Sequence, residues 1–333
     1  MRKKVQATLK DIAAELGVTV MTVSQGLNGT GRISESTRQR VREAADRLNY
    51  SPNWVAKSLR MSSTRTIGIA VGDASQMFFS QVLRGIQDAA EAVGFNVMVS
   101  NTDQRPGKEK SVIDMLISKR LDGLIIVSPM LSDPDYVTYL KACGIPIVVL
   151  MRNLDCFDLV ISDNEQGGYL AAEHLLNQGC KSPYYLLLPE VSQVGDDRLR
   201  GHLRALHDHG VDDRPERIWR TIPSIEGGMA AMKALLAHGF DGDSLCCDCD
   251  LIAIGAISEL EKAGYRIPEQ VKICGFNDLE LSPYINHPLT TIRQHRYEIG
   301  KIGMELLMKR IQHRTRPVQK IVLPVELIAR IST

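Results

Sequence analysis

A chain of 333 residues is too long for one ordinary domain, and its length favours two or three units that each bury a core. The net charge of +1 hides an asymmetry, because Lys and Arg outnumber Asp and Glu by 12 to 5 up to Thr66 but are outnumbered 34 to 28 beyond it. No run approaches the roughly 20 apolar residues of a membrane span, the first residues lack the apolar segment of a signal peptide, and seven scattered cysteines argue against a disulfide framework. We therefore expect a cytoplasmic protein with no membrane partner, whose basic start is either a polyanion-binding module or a solvated arm.

The first fifty residues carry the apolar spacing of short helices. Apolar side chains recur at positions i, i+3, i+4 and i+7 over residues 9–16 and 41–48. Thr8 and Ser34 stand where helix N-caps belong, and a shorter helix fits residues 20–27 after a turn that contains glycine. This order of helix, turn and second helix predicts a helix-turn-helix unit.

The second predicted helix has a face that is free of core contacts, as DNA reading requires. Val23 and Leu27 fall on the inward face, whereas Met21, Ser24 and Gln25 fall on another face at spacings of three and four residues. A helix in the major groove presents side chains to base edges in this way. The alternative is an ordinary three-helix bundle with a polar surface.

A linker follows the helical unit. Residues 51–65 open with a serine and a proline and close with a polar run of Ser, Thr and Arg. The middle of this segment is long enough for a two-turn helix, which is marginal in water unless something packs against it. We therefore predict that the segment folds when the chain binds its partner.

From Thr66 onward, short apolar runs alternate with helical stretches, which is typical of βαβ units. The runs lack the polar alternation of half-exposed strands, as expected of parallel strands with helices on both faces. The predicted strands cover residues 66–71, 95–100, 123–127, 145–150, 184–188, 245–247 and 271–275. At this length the pattern predicts an α/β fold with two doubly wound lobes and a ligand-binding cleft.

Motifs of catalysis are missing from the sequence. The chain has no G-x-S-x-G, no P-loop glycine-lysine pattern and no G-x-G-x-x-G after a strand. Its histidines are scattered, and Cys246, Cys247 and Cys249 lack the spacing of a structural zinc site. We therefore expect that the protein is not an enzyme and has no catalytic residue, metal or cofactor. A free binding protein for transport is a further alternative, and the basic start argues against it.

Short segments throughout the chain follow an order that is typical of one family. They read TLKDIA at 8–13, GV at 17–18, TVS at 22–24, LNG at 27–29, LNYSPN at 48–53, VAKSL at 55–59, TIG at 66–68, LRGI at 83–86, DGLI at 122–125, DN at 163–164, RLRG at 198–201, AIGA at 253–256 and PLTTI at 288–292. Each segment is weak alone, and their order carries the signal. With this set, essentially the whole chain resembles the lactose/galactose repressor (LacI/GalR) family.

The resemblance implies a bacterial transcriptional regulator, expected to be a repressor, that binds a near-palindromic operator in double-stranded DNA as a homodimer. It also implies a small-molecule effector, a sugar or related metabolite, in the cleft of a core similar to periplasmic binding proteins. Whether the effector releases the operator or is required for binding stays open.

The resemblance further implies where the parts of the chain begin and end. The expected parts are an all-α helix-turn-helix headpiece at 1–50, a hinge helix and linker at 51–65, and an effector-binding and dimerisation core at 66–333. The core is expected to place one lobe at about 66–162 and 292–323 and the other at about 163–291 and 324–333, each a doubly wound parallel sheet.

Matching positions imply a set of DNA-contacting residues in the headpiece and hinge. They are Thr8, Val20, Met21, Thr22, Ser24, Gln25, Asn28, Asn53, Ala56 and Leu59. Val20, Met21 and Gln25 take the place of base readers, and Leu59 that of an apolar wedge in the minor groove. The alternatives are that Val20 belongs to a core stripe with Val23 and that Leu59 packs against the core. Gln25 departs from the arginine usual in the family, which favours adenine over guanine at the base it reads.

Matching positions also imply an effector site in the cleft. It consists of Phe78, Phe79, Arg152, Asp163, Arg198 and Asp250. The phenylalanines take the place of an aromatic wall, and the charged groups that of partners for hydroxyl groups. The alternative for Asp163 and Asp250 is that each caps the helix that follows it. Met151 and Cys249 replace the aspartate and asparagine usual in the family, which makes a standard sugar a weaker expectation.

Overall fold

The computed structural model describes residues 7–50, 63–129, 134–189 and 192–333. The chain divides into two compact units, Met1–Thr64 and Arg65–Thr333. Among the described residues, no helix is both long enough and apolar enough to cross a lipid bilayer.

The described part of the first unit is helical, as the apolar spacing predicts. Its helices are α1 (Leu9–Leu16), α2 (Val20–Asn28) and α3 (Glu35–Arg47). The Thr8 amide donates to the Asp11 carboxylate at 2.8 Å, and Ser34 Oγ accepts from the Thr37 amide at 3.1 Å, so both predicted caps are present. Gly17 ends α1 with a φ of 64°, a left-handed conformation that lacks a steric penalty only in glycine.

A small apolar core joins these helices. It contains Ile12 and Ala13 from α1, Val23 from α2, and Val41 and Ala44 from α3, all buried. α2 therefore contributes one large, fully buried side chain to the core of this unit, and Leu27 packs against that core as well.

The described part of the second unit contains two six-stranded sheets. The first has the order β11-β5-β4-β3-β1-β2, and the second has the order β12-β10-β9-β8-β6-β7. Neighbouring strands are parallel except for β12, which runs antiparallel to β10. The strands are β1 (Thr66–Val71), β2 (Asn96–Asn101), β3 (Gly123–Val127), β4 (Ile147–Leu150), β5 (Asp158–Ser162), β6 (Pro183–Leu187), β7 (Ile218–Arg220), β8 (Ser244–Cys247), β9 (Lys272–Asn277), β10 (Thr290–Gln294), β11 (Lys320–Leu323) and β12 (Val325–Ile328).

Helices cover both faces of each sheet, which confirms the predicted doubly wound α/β fold. They are α4 (Met77–Ala92), α5 (Pro106–Ser118), α6 (Pro134–Ala142), α7 (Asn164–Asn177), α8 (Gln193–Asp208), α9 (Ile225–Ala237), α10 (Asp250–Lys262) and α11 (Arg296–Gln312), with a 3₁₀ turn at Pro215–Arg217. α7 and α8 cross at very short range, because a Cβ atom on Gly201 would lie only 1.8 Å from the carbonyl oxygen of Glu165.

The chain passes between the two lobes at three places. It leaves the first sheet after β5, returns after β10 into α11, and crosses again between β11 and β12. α11 belongs to the first lobe, since Ile299 and Leu307 are buried in the same core cluster as Ile67. We predicted that the chain returns to the first lobe at about residue 292. The structure moves this boundary to the end of β10, because residue 292 lies inside that strand, which pairs with β9 in the second sheet.

Candidate functional site

The N-terminal end of α2 exposes two large apolar side chains. The side chain of Met21 is 72% exposed and that of Val20 is 41% exposed, whereas Val23 is fully buried. Val20 therefore lies outside the headpiece core, and the alternative that it forms a core stripe with Val23 does not hold. An exposed apolar side chain at the start of a helix is suited to contact the methyl group of thymine.

Polar residues of α2 bond within the headpiece. Thr22 Oγ1 lies 2.9 Å from Thr19 Oγ1, and Asn28 Nδ2 donates to the carbonyl oxygen of Ser24 at 2.8 Å. Thr8 is exposed and caps α1. These bonds hold the ends of the helices and leave hydroxyl and amide groups at the surface.

Gln25 packs against the turn that follows its helix. A Cβ atom on Gly31 would lie 2.4 Å from Cδ of Gln25, so the side-chain amide lies across the glycine. The predicted hinge residues Asn53, Ala56 and Leu59 lie outside the described part of the chain. The base-reading and wedge roles of these residues stay predictions.

A cavity of about 210 Å³ lies in the cleft between the two lobes of the core. We call it the cleft cavity. Its lining includes residues that end or directly follow strands of both sheets, which is where doubly wound folds bind ligands. These residues are Gly72, Ser128, Met151, Ser162, Leu188, Asp248, Asn277 and Gln294.

The wall of the cleft cavity is largely apolar. Phe78 and Phe79, which were predicted to form an aromatic wall, lie in the lining of this cavity. Their ring centroids are 5.1 Å apart in an edge-to-face arrangement. Met151 and Cys249 also line the cavity and are buried. Burial raises the pKa of the Cys249 thiol to about 12, so this side chain is a neutral, weakly polar group.

Arg198 is the polar centre of the cleft cavity. Its side chain is only 4% exposed, and its guanidinium lies 3.6 Å from the centroid of the Phe276 ring. Nε donates to Asn164 Oδ1 at 3.0 Å, and Nη1 donates to the carbonyl oxygen of Asp248 at 2.5 Å. Nη2 makes no hydrogen bond to any residue in the described ranges. The structure thus fixes the guanidinium and leaves a donor for a ligand.

Two further polar groups face the same space. Asp248 is fully buried, with its carboxylate accepting from the Tyr185 hydroxyl at 2.6 Å and from the Leu188 amide at 2.9 Å. Ser162 is buried, and within the described residues its Oγ has no hydrogen-bond partner. A buried hydroxyl without a partner is a position where a ligand or a water molecule is expected.

Arg152 also lines the cleft cavity, as predicted, and it is attached to the first lobe. Its Nη1 donates to the carbonyl oxygen of Pro129 at 2.6 Å. Burial lowers the pKa of Arg152, while the negative charge of Glu109 acts in the opposite direction. The guanidinium is therefore held by a backbone carbonyl of its own lobe, and the charge of Glu109 favours its protonated form.

The two aspartates predicted for the effector site are not in the lining of the cleft cavity. Asp163 is the N-cap of α7, where its Oδ1 accepts from the Gln166 amide at 2.9 Å. Asp250 is fully buried and accepts from the Leu279 amide at 2.7 Å. Asp163 therefore caps its helix, because a carboxylate at a helix start is drawn to unpaired amide groups. Asp250 instead binds the segment after β9 and strand β10, which are distant in sequence.

Sequence reasoning missed Asn164, Asp248, Asn277 and Gln294 in the lining of the cleft cavity. Each of them ends or follows a strand, and that position was the available signal. Gln294 Nε2 donates to Asn277 Oδ1 at 2.7 Å, so the ends of neighbouring strands β10 and β9 are joined at the cavity.

Comparisons with protein families agree with this geometry. A family model described as "Bacterial regulatory proteins, lacI family" matches residues 8–53. A second model, described as "Periplasmic binding proteins and sugar binding domain of LacI family", matches residues 64–331. The two matches meet near the division between the compact units.

Relatives and solved structures match over nearly the full chain. The HTH-type transcriptional repressor PurR of Mannheimia succiniciproducens is 31% identical, and the alignment covers 97% of this chain and 98% of that protein. The Lac repressor dimer bound to operator and the anti-inducer ONPF has a TM-score of 0.91 at 29% identity, covering 98% of this chain and 99% of that chain. A regulator from Enterococcus faecium with bound ribose has a TM-score of 0.72 at 31% identity, covering 80% and 98%.

Proposed function

The chain belongs to the LacI family of bacterial regulatory proteins and is a DNA-binding repressor with an effector-binding core, and we propose that it reads its operator with α2 and senses a small molecule in the cleft cavity. The observation that carries the DNA-reading part is the exposed start of α2, where Val20 and Met21 project from a helix whose one large buried side chain is Val23. A repressor acts where the bacterial chromosome is, so the proposed location is the cytoplasm. No catalytic role is proposed for any residue.

The proposed assembly is a homodimer on a near-palindromic operator, with one headpiece in the major groove of each half-site. In the core, β2 is an edge strand of the first sheet and exposes Met98 and Val99, and Met115 of the adjacent α5 is exposed as well. An apolar sheet edge is a typical surface for contact with another protein chain. The Lac repressor, a neighbour in structure, is a dimer on its operator.

The proposed effector is a sugar or a related metabolite that enters the cleft cavity. Arg198 Nη2 and Ser162 Oγ supply polar groups, and Phe78 and Phe79 supply an apolar face. For the ligand to regulate DNA binding, its affinity must differ between the DNA-competent and DNA-incompetent arrangements of the protein. Ribose is bound in the regulator from Enterococcus faecium, which supports a sugar here without identifying it.

Two measurements test the proposed function. Selection of binding sites from a random DNA pool is expected to return a near-palindromic motif, and a motif without two related half-sites contradicts the dimer. A thermal-shift screen with sugars and nucleosides is expected to find a ligand that raises the melting temperature, since binding to the folded state stabilises it. Loss of that shift in Arg198→Gln assigns the ligand to the cleft cavity, and an unchanged shift places it elsewhere.

Gln25→Arg is expected to shift the preferred base at one symmetric operator position from adenine to guanine by about 1–3 kcal/mol. Glutamine pairs with two atoms of adenine and arginine with two atoms of guanine, and the substituted position is half-buried in α2 beside Gly31. Site selection with both proteins measures the change. Ser36→Ala, in α3, is the control, and identical motifs from the wild type and Gln25→Arg contradict the reading role.

A further inference from the structure

The charged residues among the described lining of the cleft cavity are Arg152, Arg198 and Asp248. We infer that Asp248 is an internal counter-ion for Arg198, and that the cleft therefore selects an effector that is uncharged where it meets Arg198. This inference rests on the proposed effector function of the cleft. It narrows the effector class from any sugar derivative to one that offers a neutral acceptor, such as a hydroxyl, an ether or a carbonyl oxygen.

Asp248 lies beside Arg198 in the wall of the cleft cavity. It follows β8 directly and is fully buried, with its Oδ1 lying 3.9 Å from Arg198 Nη1. Oδ1 accepts from the Tyr185 hydroxyl and Oδ2 from the Leu188 amide. Both oxygens therefore accept from groups of the protein, and the carboxylate is held beside the guanidinium in the wall of the cleft cavity.

The groups around Asp248 act on its charge in opposite directions. Burial raises the pKa of this carboxyl, while the Arg198 charge, the Tyr185 hydroxyl and the Leu188 amide act in the opposite direction. An ionised carboxylate accepts on both oxygens, which matches the two donors that point at it. We take the buried pair as a guanidinium and a carboxylate whose charges offset each other.

Two polar groups of the cleft cavity are available to a ligand. Nη2 of Arg198 is a free donor among the described residues, and Ser162 Oγ is a buried hydroxyl without a partner in them. An uncharged acceptor satisfies these groups without adding charge. A carboxylate or phosphate at the same place gains attraction from Arg198 but meets repulsion from Asp248, which lies within a few ångströms in a medium that screens poorly.

The same compensation holds for the second cation of the cleft cavity. Glu109 is buried, accepts from the Tyr136 hydroxyl and favours the charged form of Arg152. Glu109 is outside the described lining of the cavity, and its negative charge favours the charged form of Arg152.

Inorganic phosphate is a direct probe of this balance. Calorimetric titration of the full chain at constant ionic strength is expected to detect no saturable phosphate binding in the wild type. Asp248→Asn keeps both hydrogen bonds, because the asparagine oxygen accepts from the Leu188 amide and its amide group donates to the Tyr185 hydroxyl oxygen. This variant is expected to show saturable phosphate binding, at least about tenfold tighter than the weakest binding that the titration detects, since Arg198 loses its counter-ion.

Asp196→Asn is the matched control, because it removes one negative charge from the helix that carries Arg198, at a position more exposed than Asp248. It is expected to leave phosphate binding unchanged. Saturable phosphate binding in the wild type that disappears in Arg198→Gln overturns the inference, and so does an unchanged affinity in Asp248→Asn. If Asp248→Asn does not fold, the wild-type titration decides alone.

Matched ligand pairs distinguish a failed inference from a failed function. Thermal shifts of the wild type are compared for galactose with galacturonate and for adenosine with adenosine monophosphate. A larger shift for an anionic member, lost in Arg198→Gln, retains the cleft as an effector site and overturns the neutral-effector inference. A larger shift for a neutral member supports both. If no pair gives a shift, the phosphate titration decides the charge inference independently.

Discussion

Gly201→Ala is expected to lower the free energy of unfolding of the core by about 3 kcal/mol, at the upper end of the usual effect of overpacking. The added Cβ atom would lie 1.8 Å from the Glu165 carbonyl oxygen and 2.7 Å from the Tyr169 amide nitrogen. Both are backbone atoms of α7, which have no rotamer to relieve the clash, so the two helices must separate. Urea unfolding followed by circular dichroism measures the loss.

The same substitution is expected to weaken effector binding, because α8 carries Arg198 one turn before Gly201 and α7 carries Asn164, the partner of Arg198 Nε. Gly107→Ala in α5 is the control. A Cβ atom there meets nothing within 4 Å, and alanine is favoured over glycine within a helix by about 1 kcal/mol. A Gly201→Ala protein with the stability of the control contradicts the close helix crossing.

Asp250→Ala is expected to lower the free energy of unfolding by about 3 kcal/mol at neutral pH, through the lost hydrogen bonds and the buried amide that is left unpaired. The carboxylate accepts from the Leu279 amide at 2.7 Å, from Ser282 Oγ at 2.7 Å and from Thr291 Oγ1 at 2.5 Å. It thus ties the segment after β9 to β10. Leu279 lines the cleft cavity, so its release is expected to weaken effector binding as well.

Asp250→Asn separates the role of the hydrogen bonds from that of the charge. Burial raises the pKa of Asp250 from 3.8 to about 6. The carboxyl therefore contributes stability that is present below about pH 4 and is lost as the pH rises through about 6, a change of roughly 3 kcal/mol for a shift of about two pH units.

The asparagine variant has no such titration, because its amide group does not ionise. Its hydrogen bonds persist, since the serine and threonine hydroxyls are able to accept from that amide group. As the pH rises from 4 to 7, the wild type is expected to lose stability through Asp250 and the variant is not. The free energy of unfolding of the variant, relative to that of the wild type, is therefore expected to be higher at pH 7 than at pH 4. Urea unfolding at these two pH values measures the difference, and an equal pH dependence in both proteins assigns the effect to other groups.

Local sequence patterns predicted the helices and strands whose apolar residues are buried and whose polar residues are exposed or cap a helix. The headpiece helices follow from apolar spacing and from caps at Thr8 and Ser34, which are local features of the chain. Strands such as β3 and β4 are continuous apolar runs, because helices cover both of their faces.

Strands that contain buried polar groups were not predicted from these patterns, because those groups bond to residues far along the chain. β5 begins with Asp158, which is buried because Arg310 Nε donates to it at 2.8 Å and the Gln319 amide at 2.7 Å. β10 contains Thr290 and Gln294, whose polar atoms are satisfied by Ser332 and Asn277. These partners come from remote parts of the sequence, so apolar periodicity does not predict the strands.

The sequence by itself determined the division of labour. The basic first part, the helical spacing and the ordered family segments predicted a DNA-reading headpiece and a two-lobed sensing core, and Met21 of the predicted reading face is exposed. It also identified Arg198, Phe78 and Phe79 as residues of the cleft, because they stand at positions that match the family's effector site, and all three are in the lining of the cleft cavity.

Only the tertiary structure decided which carboxylate faces Arg198. Asp248 and Asp250 are two residues apart at the turn from β8 into α10, and sequence favoured Asp250. The backbone turns between them, so the Asp248 carboxylate meets Tyr185 and Arg198, while that of Asp250 is turned toward Leu279, Ser282 and Thr291. The direction of a side chain at such a turn depends on partners that the fold brings from far along the chain, and those partners determine the charge of the cleft.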